Sequence, residues 1–285
     1  MESRIVLVTP LKDEMDNLPL LIDAISSQTT PLYAWIIVQN GSVDGSKEYL
    51  DKISNVKNVE NFFVIDFSLP VEKYELGFKY STVVSKGFLE LEKKIVAAEL
   101  SGITHYGICD ADCFPPRDYY EKLLGFMVEN ELSISSGVGI FLNGELDGEA
   151  KDWVRGNCRL WTAESFQSAG YFIGPSADAL SLAKAQMNGF KTMPCLSLEY
   201  SCREMGKKSR YEYYGYANYY RGITLSYCFL KGLNYIRIGQ YENGFRFVRG
   251  YLQSYIGRKE KISDKEILKY FRGMLGRKLN SFFTR

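Results

Sequence analysis

Through its first 115 residues the chain alternates short, β-branched apolar runs with helical patterns, and this alternation restricts the fold more than any other feature. Residues 5–9 have the length and branching of a buried strand, and 34–38, 62–66 and 105–109 read as the next three strands. Between them, Leu18, Leu21, Ile22 and Ile25 share one face of a helix starting near Asn17. Residues 47–53 fit a short helix with Ser46 as its N-cap, and 78–100 carry a long helical pattern. Strand and helix in turn at this spacing build βαβ units, so the expected class is α/β with a mostly parallel sheet flanked by helices.

The later sequence is more mixed. Residues 118–130 read as a helix, 134–142 as a strand turned by Asn143-Gly144, and 176–188 as a helix with Gly189 at its C′ position. From Cys195 onward proline disappears, and 13 of the 21 tyrosines lie in residues 195–285. The expected division is therefore a domain over 1–195 and a helical, Tyr-rich C-terminal extension over 196–285. Six tyrosines crowd into 211–220. Core packing is not expected to absorb so many rings, which predicts that some are exposed or contact a ligand.

Composition narrows the function. A chain of 285 residues, 46% hydrophobic, has ample core, and a net charge of +1 gives no general attraction to nucleic acid. No apolar run reaches the roughly 18 residues of a membrane span. The start lacks a basic segment followed by an apolar one, so no secretory leader is expected. Cysteines 109, 113, 158, 195, 202 and 228 match no zinc spacing, and His105 is the one histidine. They read as reduced thiols, mostly buried, and the location that follows is cytoplasmic.

Three of the first four strands run straight into polar clusters: Thr9 to Glu14, Gln39 to Ser42, and Asp110-Ala111-Asp112. Open parallel sheets bind ligands beyond the carboxyl ends of their strands, so parallel neighbours would gather all three clusters on one rim. Asp110 and Asp112, two apart on an extended segment, point the same way. Two carboxylates so placed repel each other, and a hard divalent cation such as Mn²⁺ or Mg²⁺ removes that cost. The plainer alternative is a polar turn after a strand; the two neighbouring clusters favour the metal.

The stretches Val8 to Pro19, Ser26 to Thr29 and Trp35 to Ser46 resemble the opening of the family 2 glycosyltransferases. Cys109 to Leu124 is similar to that family's D-x-D motif and following helix. Phe166, Gly170, Pro175 to Asp178 and Lys184 to Lys191 resemble its acceptor-side segment. The likeness covers about residues 4–191. It implies a GT-A fold and transfer of a sugar from a nucleotide-diphospho-sugar to a glycan or lipid-linked acceptor hydroxyl, with inversion and with Mn²⁺ or Mg²⁺. By the same resemblance Pro10, Glu14, Gln39, Asn40 and Lys79 line the nucleotide site. Asp110 faces ribose and metal, Asp112 binds the metal, and Asp178 is the general base. Gln39 stands where the family usually has an acid, and Ala177-Asp178 carries one acid where the family has two.

Those departures motivate an alternative, a catalytically silent nucleotide- or sugar-binding protein on the same fold. A nucleotidyltransferase ranks last, because Thr9 to Glu14 cannot form its glycine- and arginine-rich loop. Other residues have plainer readings. Asp44 reads as a turn residue bonded to its own backbone, His105 as structural, Cys109 and Cys113 as packing, Trp161 and Phe172 as core. Residues 257–285 hold nine Lys and Arg against three acids, a net of +6, with apolar residues at helical spacing over 262–283. This segment reads either as a docked helix with a solvated basic face or as peripheral contact with the inner membrane face through 261–285.

Overall fold

Runs that are apolar at every position, such as Ile5 to Val8 and Trp35 to Val38, need cover on both faces, and in the computed structural model they have it. The structure describes residues 3–69, 77–146, 153–203 and 207–277. β1 (Ile5–Leu11) leads through α1 (Leu18–Ser26) to β2 (Leu32–Gln39), then through α2 (Ser46–Leu50) to β3 (Val59–Asp66), and through α3 (Phe78–Val96) to β4 (His105–Ile108). These four strands lie side by side and parallel, in the order β3-β2-β1-β4. Alternation along each strand divides the core. Leu7, Trp35 and Ile37 pack with Leu18, Leu21 and Ile25 of α1, while Val8, Ile36 and Val38 pack with Val84 and Phe88 of α3. Gly87 lets α3 lie this close: a Cβ there would fall 2.4 Å from Val8 Cγ1.

Beyond β4 come β5 (Cys113–Phe114), α4 (Tyr119–Glu129), β6 (Ile134–Ser136), β7 (Val138–Phe141) and β8 (Arg159–Thr162). Then follow α5 (Ala163–Ala169), α6 (Ala177–Met187) and β9 (Glu199–Cys202). β8 runs antiparallel between β4 and β6 and completes a six-stranded, mostly parallel sheet of the expected α/β class. β5, β9 and β7 form a second sheet of three strands, which the sequence did not announce.

Two local expectations are corrected. The single strand over 134–142 is split, with β6 in the large sheet and β7 in the small one. Gly137 makes the crossing: its N–H donates to Tyr119 Oη at 2.8 Å, and a Cβ there would fall 2.4 Å from the Leu198 carbonyl. Ser46 is the first residue of α2 rather than its N-cap, a place taken by Gly45 at φ 94°. Asp44 Oδ1 accepts both the Ser46 N–H at 3.0 Å and its hydroxyl at 2.6 Å. Gly189 does close α6: the N–H of Phe190 reaches the Ala185 carbonyl and that of Gly189 the Gln186 carbonyl.

The chain forms two compact units, one of residues up to 173 with 177–204, the other of 174–176 with 205 onward. The second unit holds α7 (Lys207–Tyr220), α8 (Leu225–Arg237), α9 (Tyr241–Ile256) and α10 (Lys265–Arg272). Of the six tyrosines of 211–220, Tyr219 and Tyr220 are buried and the other four half-buried, so no ring is as exposed as their number suggests. The rings interleave edge to face, Tyr211 with Tyr214 and Tyr235, Tyr216 with Tyr220, and Tyr219 with Tyr251. Two glycines allow it. A Cβ on Gly215 would fall 2.0 Å from the Phe247 carbonyl, and one on Gly250 2.0 Å from the Glu212 carbonyl. The backbones of α7 and α9 therefore approach closely enough for rings to fill both flanks.

α10 covers the first part of the pattern over 262–283, and after a turn at Gly273 residues 274–277 are helical again. Asp264 caps it, accepting from the N–H groups of Glu266 and Ile267, and Gly273 follows its last residue. Ile267 and Phe271 are wholly buried, with the Arg221 guanidinium 5.1 Å above the Phe271 ring, so α10 is docked. Residues 278–285 of the tail lie outside the described residues. Among the described residues no helix is long and apolar enough to cross a membrane.

Candidate active site

The parallel register brings the carboxyl ends of β1, β2 and β4 to one edge. Pro10 pairs with Val38 at the end of β1, and Leu11 with Gln39. The loop after β1 is tied across the rim to the loop after β2. Asp13 Oδ1 accepts from the Val43 N–H at 2.8 Å, Asp44 Oδ2 from the Met15 N–H at 2.8 Å, and the Ser46 hydroxyl from the Glu14 N–H at 3.1 Å. Asp44 is thus more than a local turn residue. It ties the β1 loop to the start of α2, and these bonds hold its carboxyl below its usual range against a cost of desolvation.

Gln39 and Asn40 are buried at the end of β2. Their side-chain oxygens accept from backbone N–H groups, Gln39 from Gly41 and Asn40 from Leu69. Both amides therefore shape the floor of the rim. Lys79 lies in the first turn of α3, next to Tyr80.

Asp110 follows β4. The Tyr80 hydroxyl donates to its Oδ1 at 2.6 Å. Burial pushes the Asp110 carboxyl up to about 8; Asp112 adds to the rise, the Tyr80 bond opposes it, and Asp178 and Glu14 push further. Asp112 lies beside it, and its carboxylate faces Arg203, with Nε at 3.7 Å from Oδ2. Arg203 Nη2 also contacts Glu14 Oε1 at 2.6 Å, so one guanidinium spans carboxylates from the β1 and β4 loops. Ligand atoms of Asp110, Asp112 and Cys113 lie within 4.8 Å of one another, a candidate cation site.

The donor chemistry of that cluster suits a hard cation. A hydrogen bond with Cys158 draws the Cys113 thiol down, but burial and the Asp110 and Asp112 charges push it further up. A neutral thiol is a poor ligand, which leaves the two carboxyl groups as the donors. Arg203 supplies fixed positive charge where a cation would sit. Arg203→Gln is therefore expected to raise the affinity of the nucleotide-free chain for Mn²⁺ by about fivefold. Calorimetric titration checks this, and an unchanged affinity would mean that the guanidinium charge is not felt at the site.

Asp178 stands in the first turn of α6, far along the chain from Asp110, yet near enough for its charge to push up both Asp110 and Tyr80. Gly156 makes room for its carboxylate, since a Cβ there would fall 2.5 Å from Oδ2. The Asp178 carbonyl accepts from Arg159 Nη1 at 3.0 Å. Arg159 is wholly buried, and its guanidinium also donates to the Val154 and Arg155 carbonyls. It is a buried cation beside Asp178.

The sequence did not point to Tyr80, Arg159 or Arg203. Tyr80 adjoins Lys79 at a helix start, the one signal that could have found it. Arg159 and Arg203 meet their partners only through the fold. All six cysteines are buried, as expected. Trp161 is buried in the core, and His105 Nδ1 lies 2.9 Å from Thr104 Oγ1 in a structural role.

No family model matches this chain, and no curated protein matches it in sequence. Solved structures match its fold. Staphylococcus aureus TarS 1–349 in complex with UDP-GlcNAc superposes with a TM-score of 0.53 at 10% identity, covering 76% of this chain and 66% of that one. The S. aureus TarS chain gives 0.50 at 12% identity, with this chain spanning 39% of its length. Mannosyltransferase PcManGT from Pyrobaculum calidifontis, in complex with GDP-Man and Mn²⁺, gives 0.51 at 12% identity over 97% of this chain and 75% of that one. At such identities the likeness is one of architecture, and the chain has a GT-A-like fold.

Proposed function

We propose that this chain is an inverting, metal-dependent glycosyltransferase of family 2, moving a sugar from a nucleotide-diphospho-sugar to the hydroxyl of a glycan or lipid-linked acceptor. The observation that carries this reading is the pairing of Asp110 and Asp112 beyond the carboxyl end of β4 in a parallel sheet, with Asp178 near enough for its charge to act on Asp110. Two structures of similar fold were solved with nucleotide sugars, one of them with Mn²⁺. In this reading residues 1–195 bind the donor and 196–285 serve the acceptor side. Pro10, Glu14, Gln39, Asn40 and Lys79 hold the nucleotide, while Asp110 and Asp112 hold Mn²⁺ or Mg²⁺. Such an ion supplies positive charge against a leaving diphosphate. Tyr80 fixes the Asp110 carboxyl through its 2.6 Å hydrogen bond. Asp178 takes the proton of the acceptor hydroxyl as that oxygen attacks the far face of the sugar.

The second reading, a silent nucleotide-binding protein on the same fold, is favoured by Gln39 in place of an acid and by Asp178 standing without a neighbouring acid. Thermal unfolding with UDP, GDP, CDP and ADP, with and without Mn²⁺, tests the donor site. One nucleotide at 100 times its Kd should add about 2.7 kcal/mol, a rise of roughly 5 °C or more, and Mn²⁺ should enlarge it. An equal response to all four, or none, counts against nucleotide binding. Stabilisation without release of sugar from any nucleotide-sugar selects the silent protein.

A further inference from the structure

α8 and α9 form an antiparallel pair in close contact. A Cβ on Gly244 would fall 2.7 Å from the Gly232 carbonyl, and one on Gly232 2.4 Å from Val248 Cγ2. On its inner side the pair buries Cys228, Tyr235, Phe247 and Tyr251. Its other side is apolar and open. Leu230, Leu233, Tyr241, Phe245 and Ile256 are 54%, 59%, 69%, 67% and 77% exposed. Leu230 and Leu233 are one step of three apart and Tyr241 and Phe245 one step of four, and Ile256 lies about three turns beyond Phe245 on the same side, so each set shares one helical stripe. Because the helices run in opposite directions and both stripes flank the Gly232–Gly244 contact, the stripes face the same way. Single exposed apolar residues need no explanation, but a continuous apolar face does.

Charge indicates what covers it. Residues 205–285 hold 17 of the 35 Lys and Arg but only five of the 34 Asp and Glu, a net of +12 against −11 for residues 1–204. α8 contains no acid, and Arg237, Arg249 and Arg258 are exposed on α8, on α9 and just past the end of α9. A second copy of the chain would bring a like-charged unit against this face. A surface of anionic headgroups is complementary to it: aliphatic side chains enter the headgroup–acyl boundary, tyrosines lie at the interface, and guanidiniums meet phosphate. We propose that the outer face of α8 and α9 binds an anionic lipid bilayer. This surface is distinct from α10, which turns Ile267 and Phe271 inward.

The test is co-sedimentation of the full chain with vesicles of phosphatidylcholine alone and with about one-third phosphatidylglycerol. Binding is expected to the anionic vesicles only, and to weaken as salt rises from about 0.1 M to about 1 M. The double variant Leu233→Gln/Phe245→Gln keeps the net charge and alters only exposed positions. It should lose vesicle affinity by about tenfold or more with an unchanged unfolding temperature. The proposal is overturned if neither vesicle binds, if both bind equally, or if the double variant binds like the parent. A concentration-dependent dimer that the same variant dissolves, without vesicle binding, would give the face to a second copy and overturn it as well.

Discussion

Asp112→Asn is expected to lower sugar transfer by about 100-fold or more, because it removes one of two carboxylates available to a divalent ion. Asparagine keeps the size of the side chain and one acceptor oxygen, but a neutral amide is a weak ligand for a hard cation. Folding should not suffer. Asp112 and Asp110 repel each other, and Asp112 is the second largest cause of the raised Asp110 carboxyl. Its ion pair with Arg203, at 3.7 Å, involves a half-exposed guanidinium that keeps its shorter bridge to Glu14 in the variant. Removing one such partner is worth at most about 1 kcal/mol. Turnover, Mn²⁺ affinity and unfolding temperature should be measured on the same preparation. Retained turnover together with retained Mn²⁺ affinity would show that the pair does not hold the ion. Lost turnover with a large fall in stability would make Asp112 a structural residue.

The parts of this molecule that can be read in sequence are those in which every neighbour agrees. β1 and β2 are buried on both faces, so they carry unbroken apolar runs, Ile5 to Val8 and Ala34 to Val38, and their polar ends stand out against them. β8 stays hidden because it starts with Arg159, a residue ordinarily at the surface. Here its charge is buried and bonded to the carbonyls of Val154, Arg155 and Asp178, partners no local pattern predicts. β5 has two residues and β9 four, too few to show a period of two. The Tyr80–Asp110 bond spans 30 residues and the Arg203–Glu14 bridge 189, so the electrostatics of the rim exist only in the folded chain. Family resemblance alone leads to Asp178; nothing in the spacing of its neighbours does. The tyrosines of α7 look too many for a core while ring volume is weighed against one helix, whereas Gly215 and Gly250 bring a second backbone close enough to share them.

Asp178→Asn should cost more than any other single change, about 1000-fold in turnover, if Asp178 accepts the proton of the acceptor hydroxyl, since a positioned base contributes roughly 10²–10⁴-fold. Its side chain is held in place by the helix that carries it and by the space above Gly156, and asparagine fills that space equally. The loss should therefore be chemical. An acid in the first turn of α6 also meets the positive end of the helix, so the variant should lose about 0.5 kcal/mol of stability and no more. If Glu14, Gln39, Asn40 and Asp110 hold the donor as proposed, the nucleotide-dependent rise in unfolding temperature should be kept. Gly156→Ala supplies the complementary case. A methyl group 2.5 Å from Oδ2 must displace the carboxylate without neutralising it. Turnover should fall again, now through misplacement, which can cost about 100-fold for a shift near 1 Å. If Asp178→Asn retains most of its turnover, the base is another group. If it loses the nucleotide response along with turnover, Asp178 belongs to donor binding. Only loss of turnover in both variants, with the nucleotide response intact, is what a base poised over Gly156 requires.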